Sequence, residues 1–457
     1  MKEKLLSKNV LVYDKVKEDE IDAMHDYALG YMKFLDSSKT EREAVKYGIA
    51  MAEKEGYTEY HFGDKLEKGG KYYYNNRGKA LYIFAVGDRD IKEGIHIMAA
   101  HIDSPRLDLK QKPLYEDHSI AYLKTHYYGG IRKYQWATIP LALHGTVCRA
   151  DGSTVDISIG EGADEPVFYV SDLLPHLAKN QDSKPLGAGI EGEQLNLFSG
   201  CVPFYADVDE KVKINVLRLL NEKYDIIEDD FLSSELCAVP ADKARFIGLD
   251  FGAVGSYGHD DRVCAYTELT GFFSNKEHHR TEMVILADKE EIGSEGVTGM
   301  KCRAFDDLIE EISLACGEKN SSAVRAASRC LSADVAAAFD PNFGDVYEAR
   351  NTAYINKGVV LCKYTGARGK SSTSDASGEY VGWCRKLFAD NDVIWQTSEL
   401  GKVNQGGGGT VAMYIAEKNI DTVDVGVPVL SMHAPWEAIA VADLYMTHKA
   451  FSAFSKD

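Results

Sequence analysis

ILADKEEIGSEG, residues 285–296, is the stretch on which the reading of this chain turns. The apolar run Met283–Ala287 reads as a buried strand. It stops at Asp288, Lys289, Glu290 and Glu291, and glycines follow at 293 and 296. Adjacent carboxylates repel, and desolvating them is costly unless a proton or a cation is shared between them. The pair is therefore either an ordinary solvated strand end or half of a site that needs two anionic groups with different jobs.

Outward from this point the chain alternates between strand and helix patterns. Residues 18–55 carry apolar residues at helical spacing, and KALYIFAVG and GIHIMAAH read as two strands joined by the polar turn DRDIKE. From about 111 to 245 the texture changes to short β-prone runs punctuated by glycine, the pattern of a separate, mainly β unit. After 246 the alternation resumes, and PWEAIAVADLYMTHKAFSAF closes the chain as a long helix. The simplest architecture is an α/β domain of residues 1–110 and 246–457, interrupted by a β-rich insertion of residues 111–245.

Bulk properties narrow the function. A chain of 457 residues exceeds one simple core, and 45% hydrophobic with 27% charged residues is ordinary for a globular enzyme. The net charge of −19 opposes nucleic-acid binding and attraction to anionic membranes, both of which need a basic face. No apolar run approaches the roughly 18 residues of a membrane span. The charged opening has no apolar core of a signal peptide, and the nine cysteines are scattered without a C-x-x-C pair. These features predict reduced thiols and a cytoplasmic protein.

In an open α/β sheet, ligands bind outside the carboxyl ends of the strands. His101 and Asp103 follow one predicted strand, Glu290 and Glu291 a second, Asp334 a third, and His433 a fourth. The glycine-rich GSYGHDD places Asp260 and Asp261 before a predicted helix, where they serve equally well as an N-cap and a first-turn acid. Taken singly, each histidine reads as a hydrogen-bonded core residue and the glutamates as a solvated loop. Asp334 differs, because an acid inside an apolar run needs a partner. Imidazole and carboxylate together suit a Zn²⁺-like ion, and a carboxylate can bridge two ions. One glutamate then serves as a ligand while its neighbour handles protons. The run NQGGGGT (404–410) lets a substrate backbone approach closely, and it lacks the Lys-Ser/Thr of a phosphate loop.

Across AAHIDSPRLDLK, YYGGIRKYQW, GHDDRVCAY, DKEEIGSEG, SADVAAAFDPN and VDVGVPVLSMHAPWEA, the chain resembles the M18 metalloaminopeptidases, the family of aspartyl aminopeptidase and aminopeptidase 1. YYGGIRKYQWATIPLALHG is closer to the bacterial aminopeptidase 1 branch. The resemblance implies a central mixed sheet flanked by helices, with the β-rich insertion serving dimerisation. It also implies two divalent ions, zinc above cobalt or manganese. His101 and Asp334 would hold one ion and Glu291 and His433 the other, with Asp260 bridging. Asp103 would orient His101, Glu290 would be the general base, and the peptide bond after Asp260 would be cis. His176 in SDLLPHLAKN would reach a neighbouring subunit's site, within dimers that build a closed tetrahedral dodecamer acting on peptides with a free N-terminus.

The chain departs from the family pattern at three places. No histidine follows Asp334, the segment after Trp136 reads ATIPL, and Lys363 and Lys370 replace the basic region that contacts an acidic substrate side chain. Two rival readings share the sequence: a di-metal N-deacylase or carboxypeptidase, and a non-catalytic assembly protein that retains the fold.

Overall fold

The computed structural model describes residues 5–6, 10–205 and 207–457. The chain divides into two compact units. One comprises Met1–Asp103, Ala244–Met432 and Glu437–Asp457, and the other Ser104–Lys243 and His433–Trp436.

The larger unit is built on a nine-stranded sheet. Its strands lie in the spatial order Thr58–Glu59, Lys71–Asn76, Ala80–Ala85, Glu282–Ala287, His96–His101, Arg329–Ala333, Asp421–Gly426, Val359–Cys362 and Trp395–Thr397. The four central strands, from Glu282–Ala287 to Asp421–Gly426, run parallel. Antiparallel neighbours flank them on both sides, so the sheet is mixed. Both strands read from KALYIFAVG and GIHIMAAH form, but Glu282–Ala287 lies between them. The polar turn therefore joins strands that are not neighbours.

Alternating side chains of a strand point to opposite faces, and both faces of this sheet are apolar. On His96–His101, Ile97 and Ala99 join one hydrophobic cluster while Met98 and Ala100 join the other. Burial of Ile97 on one face and Met98 on the other contributes roughly 1.5–3 kcal/mol each, which fixes the strand from both sides. The helices Glu18–Asp36, Glu41–Lys54, His259–Ser274, Gly378–Asp390 and Val441–Lys456 supply one cluster. Ala304–Ala315, Ser321–Ala327 and Ala412–Ala416 supply the other. The break between the first two helices falls at Thr40, whose side chain caps Glu41–Lys54 while Glu43 reaches back to the Thr40 backbone.

Parallel pairing puts the carboxyl ends of the central strands on one edge. Ala287 pairs with His101, and Ala333 with Val425. A second sheet takes up the chain beyond this edge, in the order Arg245–Ile247, Ala253–Ser256, Glu437–Ala440, Pro428–Leu430 and Ala336–Ala337. The predicted closing helix is shorter than its periodicity implied. Glu437–Ala440 is a strand of this second sheet, and the helix starts at Val441.

The smaller unit carries a seven-stranded antiparallel sheet in the order Thr154–Ile159, Leu141–Cys148, Ser234–Pro240, Arg106–Asp117, Ile120–Tyr128, Leu197–Gly200 and Tyr169–Val170. Its apolar cluster includes Leu143, Val147, Ile157, Phe231 and Leu236. Among the described residues no helix is long and apolar enough to cross a membrane.

Candidate metal centre

His101 ends its strand with its side chain 1% exposed. Its Nδ1 donates to the backbone carbonyl of Asp103 at 3.0 Å, since a carbonyl only accepts. In the neutral ring Nε2 then carries the lone pair, and it stands 3.1 Å from Asp260 Oδ1. Two lone-pair atoms hold that separation only with a proton or a metal ion between them. Burial alone would lower the His101 pKa, but the Asp103 and Asp260 carboxylates override it and hold the ring well above its ordinary value.

Asp334 leaves the end of the adjacent strand, Arg329–Ala333. Its carboxyl is pushed well above the usual range, first by burial and then by Asp261, with Asp260 and Glu290 adding to the shift against His101. Ligand atoms of His101, Asp260 and Asp334 lie within 4.8 Å of one another, and Asp260 stands within the same distance of Glu291. One imidazole and several crowded carboxylates form a donor set that fits a divalent ion of the zinc type.

Asp260 and Asp261 do not occupy a helical first turn. Both have non-helical backbone angles, the peptide bond between them is cis, and the helix continues regularly after them. The Asp260 backbone N–H donates to Glu437 Oε2 at 3.1 Å. Asp261 is fully buried, and burial foremost drives its carboxyl well above the carboxylate range.

The Glu290–Glu291 tip is a single 3-10 turn over Glu290–Ile292, bracketed by Lys289 at φ 69° and Gly293 at φ 96°. The glycine takes that angle without a Cβ penalty. Asp103, itself fully buried, accepts from the Glu290 N–H at 3.1 Å and from the Glu291 N–H at 3.2 Å. A single residue therefore anchors the His101 ring through its carbonyl and both glutamates through its carboxylate.

His433 belongs by contact to the unit that contains Gly130, although Met432 and Glu437 on either side belong to the other. At φ 65° its Nδ1 donates to the Gly130 carbonyl at 2.8 Å, which leaves Nε2 as the lone-pair nitrogen of the neutral ring. His176 is exposed, and among the described residues it joins neither metal-capable group. Lys363 and Lys370 both engage Asp375, Lys370 at 3.0 Å, and Lys370 also lies 3.7 Å from the Tyr364 ring centre. The two ammonium groups thus share a single carboxylate, which leaves one positive charge in excess among the three side chains. Glu437 and Asp424 escaped the sequence reading. Asp424 carried the same signal as Asp334, an acid inside an apolar run, TVDVGVPV.

Comparison with known proteins identifies the family and the fold. The model of the family described as "Aminopeptidase I zinc metalloprotease (M18)" matches residues 34–455. The probable M18 family aminopeptidase 1 of Clostridium acetobutylicum is 48% identical over 460 residues, covering 98% of each chain. The crystal structure of an M18 family aminopeptidase from Thermotoga maritima superposes with a TM-score of 0.93 at 42% identity, covering 98% of this chain and 99% of that one. The S. cerevisiae mApe1 dodecamer shares the fold alone, with a TM-score of 0.77 at 20% identity over 94% of this chain and 96% of that one.

Proposed function

This chain belongs to the M18 family and is an aminopeptidase, and from that premise we propose that it removes N-terminal residues from peptides at a two-metal centre with Glu290 as general base. His101 and Asp334 would hold one divalent ion, zinc foremost, Glu291 and His433 the other, and Asp260 both. The observation that carries this reading is the convergence of His101, Asp260 and Asp334 within 4.8 Å, with Glu291 as close to Asp260. When bound, such ions supply Lewis acidity that lowers the pKa of water and polarises the scissile carbonyl.

The chain's own residues do the rest. Asp103 fixes His101 as the tautomer whose Nε2 faces Asp260 and holds the backbone of Glu290 and Glu291, an outer contact of the kind that orients ligands. Glu290 accepts a proton from the attacking water on its carboxylate and returns it to the departing amine nitrogen. The crowded acids give the substrate's free α-ammonium group a favourable charge environment. We extend the proposal to His176, as a residue contributed to a neighbouring subunit's site within a dimer-built tetrahedral dodecamer. The residues 104–243 would then serve assembly. All nine cysteines are free, which supports a reducing, cytoplasmic setting.

The test is release of free amino acid from X-Ala dipeptides before and after chelation, with metals counted, and with Glu290→Gln alongside. Chelator-sensitive release that falls roughly 10²–10⁴-fold in Glu290→Gln, with metal content unchanged, is the expected result. Equal turnover of N-acylated substrates would overturn the aminopeptidase reading in favour of a deacylase.

A further inference from the structure

Two residues beyond Asp260 stands Arg262, 1% exposed and among the largest fully buried side chains of the protein. Asp260 and Asp261 are non-helical, so Arg262 opens the regular part of His259–Ser274. A helical side chain leans back over the preceding turn, and four residues earlier that turn holds Gly258. Gly258 has φ 75°, and a Cβ there would lie 1.6 Å from Arg262 Nη2 and 2.4 Å from Cζ. The guanidinium thus rests on bare backbone, in a space that glycine alone leaves open. It also lies 5.0 Å from the centre of the Tyr257 ring, within reach of a cation–π attraction.

The same group reaches the strand end that carries His101. Arg262 Nη1 donates to the Lys39 carbonyl at 3.3 Å and to the Ile102 carbonyl at 3.5 Å. Ile102 stands between His101 and Asp103, which are themselves joined by the bond from His101 Nδ1 to the Asp103 carbonyl. One guanidinium therefore touches both backbones whose side chains meet at His101 Nε2 and Asp260 Oδ1, 3.1 Å apart. Burying a cation is costly unless opposite charge and hydrogen bonds compensate it. Nε and Nη2 have no hydrogen-bond partner among the described residues, and the two carbonyl contacts are long for N–H···O bonds. Hydrogen bonding alone does not account for an arginine here. The segments it touches also carry buried acids, Asp103, Asp260 and Asp261, each 3% exposed or less.

We infer that Arg262 is a positioning residue of the metal centre. Its planar guanidinium, seated between Gly258 and the Ile102 carbonyl, sets the separation of the backbones that carry His101 and Asp260. The inference rests on the two-metal reading above, and it gives Arg262 no contact with substrate or ion. Shape matters here as well as charge, because lysine offers neither the plane nor the fork.

The experiment titrates Co²⁺, which accepts the same imidazole and carboxylate ligands, into chelated wild type, Arg262→Met and Arg262→Lys in competition with a chromogenic chelator. The visible spectrum of the bound ion and the urea midpoint of each metal-free protein are recorded alongside. Arg262→Met weakens Co²⁺ binding about 10–100-fold, the loss common to groups that orient ligands, and shifts the Co²⁺ spectrum because the ligand spacing changes. Arg262→Lys keeps the charge yet stays more than about threefold weaker than wild type, with a shifted spectrum. A purely structural arginine would move the urea midpoint and leave the affinity and spectrum of the folded protein unchanged, which would overturn the inference. An Arg262→Lys within about threefold of wild type would overturn it too, since charge rather than position would then be at work. Should Arg262→Met fail to fold, Arg262→Lys decides alone by affinity and spectrum. A wild type that binds no Co²⁺ overturns the two-metal premise instead, and is distinguishable from every outcome above.

Discussion

The strand His96–His101 carries a histidine at each end, and the two could hardly differ more. Both are buried, at 2% and 1% exposure, and five residues apart they point to opposite faces. His96 Nδ1 donates to the Phe454 carbonyl at 3.1 Å, and its ring stacks on Phe454 with centroids 4.4 Å apart. Burial, then Arg280, Arg329 and Arg89, press its pKa down to about 3. His101 suffers the same desolvation, but Asp103 and Asp260 reverse the outcome. Residue type, strand and burial are shared, while the sign of the neighbouring charge and the stacked aromatic ring differ. A buried histidine is therefore a ligand candidate when carboxylates face the nitrogen opposite its backbone anchor, and a core residue when guanidinium groups and an aromatic ring surround it.

The sharpest way to break this contrast is to remove each ring in turn. His101→Ala is expected to lose metal and to cut kcat/KM roughly 10³-fold, because Lewis acidity and water activation go together. His96→Phe replaces one stacked ring by another and should leave kcat/KM within about threefold of wild type. Steady-state kinetics with metal analysis read both. A His101→Ala protein that keeps its metals and its rate, or a His96→Phe protein that loses them, would end the distinction.

The same rule separates two acids by stability, one fully buried and one half-buried. Asp443 is fully buried, yet it accepts from the Asn356 N–H at 2.7 Å and the Gly358 N–H at 2.6 Å. Asp334 instead faces other carboxylates. In chelated protein at pH 7, Asp443→Ala strands two donors and should cost about 2–3 kcal/mol. Asp334→Asn relieves like-charge repulsion in the same chelated protein and should be neutral or stabilising by about 1 kcal/mol. Urea midpoints give both values. Equal losses from the two substitutions would mean that Asp334 is a structural acid like Asp443.

In the sequence, strand ends mark the polar residues of the candidate site but not their supports. Met283–Ala287 and the apolar run around Asp334 announce buried strands, and in a parallel sheet the acids that follow them share an edge. Local pattern could not show that Glu282–Ala287 separates the two earlier strands, because strand pairing is a non-local choice. Nor could it show that the Asp103 carboxylate holds two backbone N–H groups 187 and 188 residues away. His433 adopts φ 65°, a conformation that histidine seldom signals by its neighbours. Asp424 carries the signal of an acid in an apolar run, but it stands mid-strand on Asp421–Gly426, where strand ends do not point.

The smallest expected effect tests the neutral end of the comparison. His96 has a folded pKa of about 3 against 6.5 unfolded. As pH falls below 6.5 the unfolded chain takes up a proton that the folded state refuses, so unfolding gains and stability drops. His448, lowered to about 4 chiefly by burial and then by Lys456, acts in the same direction. The raised carboxyls act in the opposite direction, since Asp424 at about 7 and Asp443 at about 8 keep protons that the unfolded chain loses. The net slope is therefore uninformative, and a difference isolates His96. His96→Phe removes one proton acceptor from the unfolded chain and leaves the other groups in place. Its stability gap from wild type should shift by about 1 kcal/mol in the variant's favour between pH 7 and pH 5.5. Denaturant titrations at the two pH values measure the shift. A gap that does not move would mean that His96 takes its proton as readily folded as unfolded, and the arginines around it would then not set its charge.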